Sequence, residues 1–425
     1  MIKIQYSANS TKEELLSRVV PESAAVDNIV KGIISNVIEN GDAALIEYAK
    51  RFDGAELEVL QVSDDEIEDA VKNTDEYFIE TLRRAKDNIE QYHKMQVRSG
   101  FEIVKDNGVV IGQRILPLER VGIYVPGGTA SYPSTVLMNA IPAKLAGVKE
   151  IIMVTPPCKD GKIKNEILAS AHIAGVDRIF KIGGAGAVAA LAYGTESVPT
   201  VDKIVGPGNV FVATAKRMVF GKVAIDMIAG PSEVLIIADD SADASYVAAD
   251  LLSQAEHDKL ASAVLITDSE SLALSVAAEV ESQLQRLSRS EIADVSINNN
   301  GKIIVANSIS EAIELSNAYA PEHLELAVDD PFALLPLIKN AGSVFLGHHT
   351  PEPMGDYFAG PNHTLPTSGT ARFASPLGVD DFIKRSSYLY YTDDALKNVC
   401  DRVADFADRE GLTAHANSIR IRSKQ

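Results

Sequence analysis

Four short stretches of this 425-residue chain carry side chains that could do chemistry. The first is SQAEHD, which puts Gln254, Glu256, His257 and Asp258 into five positions of a helical pattern. Residues three apart on a helix project roughly 60° from one another, so Gln254 and His257 share a side; Glu256 lies roughly 160° from Gln254 and Asp258 roughly 40° from it. A histidine beside an oxygen donor is a beginning of a metal site, yet an amide oxygen is a weak ligand for zinc. Taken alone, the stretch reads equally as a solvated helix face.

The second stretch is YAPEHLEL. Pro321 ends the helix before it, and Glu322 and His323 open a new segment where adjacent side chains can face one cavity. Neutral histidine is the commonest general base, and a neighbouring carboxylate can orient it or polarise a water; the pair could also be a simple cap. The third, MGDYFAGPNHTLPTSGTARF, is punctuated by Gly355, Gly360, Pro361, Pro366 and Gly369, as long functional loops are. It offers Asp356 as a hard oxygen ligand and His363 as a base or hydrogen-bonding group. The fourth, REGLTAHANS, holds Glu410 and His415 around a glycine that ends the last long helix.

Glycine turns follow three apolar runs: VPGGTASYPS (125–134), IGGAGAVA (182–189) and VGPGN (205–209). Backbone N–H groups at such turns can meet an anionic ligand, so a substrate or cofactor cleft is expected at those strand ends. Gly184-Ala185-Gly186-Ala187-Val188-Ala189 fits the Ala-ending dinucleotide fingerprint, with Asp202 at a suitable distance, although one such match is weak. The two cysteines, Cys158 in a PPCKDG turn and Cys400 on an amphipathic helix, stand away from any candidate base. An acid–base enzyme with a metal is the simpler expectation.

These groups must be carried by elements. VGIYV, EIIMV, RIFKI, KIV, EVLIIA, AVLITD, KIIVA and SVFLG are short β-rich runs, separated mostly by helical segments such as 134–146, 165–174, 242–258, 270–284 and 310–318. That alternation predicts parallel sheets of the βαβ type, and eight strands suit two α/β units better than one. The first hundred residues read as helical scaffold, with a capping box expected at Ser10-x-x-Glu13 and an interhelix break at Glu39-Asn40-Gly41. Residues 393–425 read as a charged amphipathic helix and a polar segment.

The formal net charge of −19 and a pI near 4.9 exclude a basic footprint for nucleic acid. No apolar run approaches the ~18 residues of a membrane span, and MIKIQYSANS lacks the pattern of a secretory signal. Two cysteines cannot build a disulfide framework. A cytoplasmic protein is expected.

Together with ERVGIYVPGGTASYPSTVLMNAIPAKLAGV (119–148), VGPGNVFVATAKR (205–217) and AGPSEVLIIAD (229–239), the stretches above occur in one order that resembles the histidinol dehydrogenase family over nearly the whole chain. The resemblance implies a cytoplasmic, zinc-containing homodimer of two Rossmann-like parallel-sheet domains with small helical N- and C-terminal elements. It implies oxidation of L-histidinol to L-histidine via L-histidinal with two NAD, the final step of histidine biosynthesis. The domains are expected as a terminal element 1–19, a discontinuous first domain 20–123 plus 234–377, an inserted second domain 124–233, and a tail 378–425 exchanged between subunits.

By the same resemblance, one zinc per subunit is held by Gln254, His257, Asp356 and, from the partner chain, His415. Glu322 and His323 are the catalytic pair. Ser232, His363 and Glu410, with the zinc ligands and His323, meet the substrate; Tyr124, Asn209 and position 186 meet NAD. Gly186 departs from the family, which commonly has Gln there, and the lost hydrogen bond is worth about 0.5–1.5 kcal/mol. Alternative readings are a relative that oxidises a different amino or sulfonated alcohol, and a zinc- or ligand-binding protein without turnover.

Overall fold

The computed structural model describes residues 2–18, 24–127 and 131–423. The centre of the first glycine turn and the expected boundary at 19/20 lie outside them. The chain forms two compact units, one of residues 1–96 with 118–382, the other of 97–117 with 383–425.

The larger unit holds two parallel sheets. The first runs in the order Lys3–Tyr6, Lys302–Val305, Ser262–Thr267, Glu233–Ala238, His323–Ala327, Ser343–Leu346. Its central strand, EVLIIA, is buried at every position, as a parallel strand covered on both faces must be. Val234 and Ile236 pack with Leu251 and Leu252 on one face, and Leu235 and Ile237 with Leu315 and Leu324 on the other. The second sheet runs Arg178–Lys181, Glu150–Thr155, Arg120–Tyr124, Lys203–Val205, Ala224–Ile225. Each crossover helix follows from a strand-to-helix change in sequence period, from alternating or continuous apolar runs to 3.6-residue spacing.

The smaller unit is of a different kind. Ile383–Tyr390, Val110–Pro117 and Phe101–Val104 form an antiparallel sheet, followed by helices Asp393–Lys397, Cys400–Arg409 and Thr413–Ser423. The tail expected as helical from 378 instead makes one 3-10 turn at Val379–Phe382 and then a strand, whose partner is some 270 residues earlier in sequence and leaves no local signal.

Three other placements differ from the sequence reading. Residues 24–94 were expected with the first sheet; instead Val30, Val37 and Leu45 pack beside Val188 and Ile204, and Leu82 and Ile89 beside Leu137 and Ile167, all on the second. The N-terminal segment adds the edge strand Lys3–Tyr6 to the first sheet. The capping box sits one residue later, on Thr11 and Glu14, because the helix starts at Lys12 and Thr11 is the residue before it. The expected break does occur, at Gly41 (φ 52°, ψ −130°). No described helix is long and apolar enough to cross a membrane.

Candidate active site

The helix Ala244–Ala255 is started by the Asp243 carboxylate, which accepts from the Ser245 N–H. It buries Leu251 and Leu252 against the first sheet and thereby returns to the start of that sheet, where it ends. Gln254 is fully buried on its last turn. His257 lies two residues beyond the helix, in a turn held by its own N–H on the Gln254 carbonyl (3.2 Å). Asp258 is exposed and spends its carboxylate on the Leu260 N–H, which places it in solvent.

Glu322 and His323 stand where the adjacent strand begins. The helix Ile309–Tyr319 stops at Ala320, which takes a left-handed backbone (φ 53°) that alanine adopts only under constraint, and Pro321 forbids continuation. His323 is therefore the first residue of a strand rather than the start of a helix. Glu233, which precedes His323's ladder partner Val234, grips both members of the pair through its main chain: its N–H donates to Glu322 Oε2 (2.8 Å), and its carbonyl oxygen lies 3.1 Å from His323 Nδ1. A carbonyl only accepts, so Nδ1 carries the proton and Nε2 keeps the lone pair. Nε2 has no hydrogen-bond partner among the described residues and lies 3.6 Å from Asp356 Oδ1.

Asp356 comes from the short helix Glu352–Tyr357, started by Pro351 and Pro353. It lies against Phe345, whose ring is 6.0 Å from that of His323. The same helix brings in Glu352, 2% exposed and four residues, one helical turn, before Asp356. One ligand atom each from His257, Glu352 and Asp356 lies within 4.8 Å of the others. The Gln254 amide satisfies every bond with its oxygen on the Glu233 N–H (2.7 Å) and its nitrogen on Glu352 (2.8 and 3.2 Å). Turned over, its oxygen faces the Glu352 carboxylate, an acceptor-against-acceptor contact that a cation would relieve. One imidazole, two carboxylates and an amide oxygen fit a divalent ion of the zinc type.

Burial dominates the electrostatics. It pushes the Glu322 carboxyl up to about 8 and that of Glu352 up to about 7, and pulls His257 and His363 downward. Burial would raise Asp356, but the nearby imidazoles of His323, His363 and His257 hold its carboxyl below the usual range. His323 is drawn upward, against burial, by Glu352, Glu322 and Asp356. These pulls compete: protons kept by Glu322 and Glu352 remove the charges that raise His323. Desolvation alone is enough to raise both carboxyls.

His363 joins the cluster, its Nδ1 on the Asp356 carbonyl (3.0 Å) and its Nε2 3.4 Å from Thr135 Oγ1. Thr135 begins the helix after the first glycine turn, which links the two sheets. Ser232 directly precedes Glu233. Glu410 and His415 are exposed on the smaller unit, where they line a groove with Val403 and Phe406.

The cofactor candidates lie at the carboxyl ends of the second sheet. The Tyr124 hydroxyl accepts from the Gly184 N–H (3.0 Å), so the leading N–H of the fingerprint helix is already taken. Asn209 caps the helix Val210–Val219 with its oxygen and keeps its amide nitrogen available. Gly206 (φ 108°) lies so close to Tyr124 that a β-carbon would sit 2.2 Å from the Tyr124 oxygen; its N–H binds Asp226 (2.7 Å) and its carbonyl Lys216 (2.9 Å). Lys216 and Asp226 form a direct, nearly inaccessible ion pair. A β-carbon on Gly184 would meet nothing within 4 Å among the described residues. Close-packed turns beside open space fit a dinucleotide. Asp202, expected as the ribose partner, instead accepts from the N–H groups of Glu119 and Arg120 at the opposite end of the sheet. Gly186 is buried, and a β-carbon there would stand 3.2 Å from the Tyr48 ring and 3.5 Å from Leu45.

Sequence reasoning missed Glu352 and Glu233. The i, i+4 spacing of Glu352 and Asp356 was an available signal, masked by two prolines and a glycine. Glu233 acts through its main chain, which no residue pattern encodes.

The histidinol dehydrogenase family model matches residues 16–423. The histidinol dehydrogenase of Clostridium acetobutylicum is 57% identical over 412 residues, covering 97% of this chain and 96% of its own. That of Lactococcus lactis is 53% identical over 423 residues, covering 99% and 98%. The crystal structure of histidinol dehydrogenase from Elizabethkingia anophelis superposes with a TM-score of 0.94 at 40% identity, covering 100% of this chain and 98% of that one.

Proposed function

Since the chain belongs to the histidinol dehydrogenase family and is an oxidoreductase of histidine biosynthesis, we propose that it oxidises L-histidinol to L-histidine through L-histidinal in the cytoplasm, using NAD and Zn2+. Two NAD molecules, bound in succession, would each accept one hydride, and a zinc ion held by Gln254, His257 and Asp356 would supply a Lewis-acid anchor for the substrate.

The protein's own groups handle the protons. In the first oxidation His323 Nε2 takes the hydroxyl proton as hydride leaves the same carbon, giving the aldehyde. In the second, the Glu322 carboxylate takes a proton from the water that adds to the aldehyde carbon. His323, returned to its neutral form, then takes a hydroxyl proton of the hydrate as the second hydride leaves, giving the acid. Both bases are held by the main chain of one residue of the neighbouring strand, Glu233, so neither has to search for its orientation. Tyr124 and Asn209 face the dinucleotide. Ser232, His363 and Glu410 hold the polar ends of the substrate. His415 and Glu410 belong to a smaller unit whose groove exposes them, and we assign them to the site of a second copy in a homodimer.

The observation that carries this reading is the fixed tautomer of His323, with a free Nε2 3.6 Å from Asp356 and Glu322 anchored by the same residue. Adding L-histidinol and NAD to the zinc-loaded protein should yield two NADH per histidinol, with activity lost to a chelator and restored by zinc. No turnover under any metal condition would refute it.

A further inference from the structure

Glu233 joins the base pair to a second, unassigned pair. Its side chain is 3% exposed and receives a two-pronged contact from Arg18, Nε at 2.5 Å and Nη2 at 3.0 Å. The same Nη2 donates to the main-chain oxygen of Tyr319 (2.8 Å), and the guanidinium lies 3.6 Å from the centre of the Tyr319 ring. Tyr319 ends the helix that runs, through the left-handed Ala320 and Pro321, straight into Glu322. One guanidinium thus holds both approaches to the bases: the turn that delivers Glu322 and His323, and the residue whose N–H and carbonyl orient them.

We propose that Arg18 and Glu233 are positioning residues for the oxidation, an ion pair that locks the main chain on both sides of the residue 233 α-carbon so that His323 keeps its proton on Nδ1 and its lone pair on Nε2. A largely buried ion pair is poor at adding net stability, because desolvation offsets its attraction; its fork geometry is what a lysine or an apolar pair could not reproduce. Arg18 itself touches no reacting group. Its effect passes through the main chain of Glu233, and losing it frees that main chain to rotate and His323 to exchange tautomers. This inference rests on His323 being the base.

The test compares Arg18→Met, Arg18→Lys and His323→Gln in the full-length, zinc-loaded protein. Three readouts apply: L-histidinol turnover, zinc and L-histidinol affinity, and the imidazole 15N shifts of protein labelled in its eight histidines. For Arg18→Met we expect kcat to fall about tenfold or more, in line with misplaced catalytic groups, with zinc and histidinol affinities within about twofold of the parent. The His323 signals should move from the pure Nδ1–H form to a mixture. Arg18→Lys keeps the charge without the fork and should fall between, which also decides the matter if the Met variant does not fold. Parent-level kcat and an unchanged tautomer in the lysine or methionine variant would overturn the proposal, whatever the melting temperature does. Full turnover in His323→Gln would instead overturn the assignment of the base.

Discussion

Gly355 presents a bare α-carbon to the ring of Phe345: a β-carbon would stand 2.7 Å from Phe345 Cε1 and 3.0 Å from Cζ. This contact sets the depth of the helix that carries Glu352 and Asp356. Gly355→Ala must lift that helix or tilt the ring, at about 1–3 kcal/mol. The expected result is a lower melting temperature together with about tenfold weaker zinc binding, read by competition with a fluorescent chelator. A stability loss with unchanged zinc affinity would show that the helix depth does not matter to the site.

Glu352 should count as part of the metal's surroundings although its helix is hidden among prolines. Glu352→Ala is expected to weaken zinc roughly 10- to 100-fold and to free the Gln254 amide nitrogen, which now donates to it. Zinc affinity equal to the parent's would remove Glu352 from the donor set.

The Glu322 carboxyl, pushed up to about 8 by burial, gives a signed pH prediction. Its carboxylate is the active form in the aldehyde step, so the rate of L-histidinal oxidation should rise with pH and level off above about 8. Glu322→Gln should slow that step more than alcohol oxidation and flatten its profile. Stability has the opposite sign. A raised carboxyl binds its proton more tightly in the folded state, so its contribution is complete below about 4.5 and is lost as pH rises through about 8, with a limiting slope of about 1.4 kcal/mol per pH unit. Denaturant unfolding of chelator-treated parent and Glu322→Gln protein across that range should diverge accordingly; parallel curves would contradict the assignment.

The Lys216–Asp226 pair clamps the VGPGN turn from both sides of Gly206. Lys216→Met strands a buried carboxylate and should cost about 3–5 kcal/mol. Pairing it with Asp226→Asn removes both charges and should recover much of that. We expect the double variant to bind NAD more weakly than the parent, by protein-detected titration, while zinc binding is unchanged. Parent-like NAD affinity would separate the turn from the cofactor.

Much of the first sheet was legible because continuous apolar runs such as EVLIIA have one solution, a strand buried on both faces. Donor chemistry alone left each of the four polar stretches open; only the resemblance implied Gln254, His257, Asp356 and His415 as one donor set, with His363 at the substrate. What escaped has a common physical origin. The strand at His323 is five residues long and opens on a buried acid and base, which reads as a loop. The pairing of Ile383–Tyr390 with Val110–Pro117 is non-local. Glu233 matters through its main chain, and every residue has one.

Tyr48 fills the space into which a side chain at position 186 would grow, and its hydroxyl is anchored by the Asn36 amide (2.8 Å). The two positions are therefore coupled: any side chain at 186 must push the ring aside, and the Asn36 bond opposes that movement, so the cost of filling position 186 is set by a residue well before it in the chain.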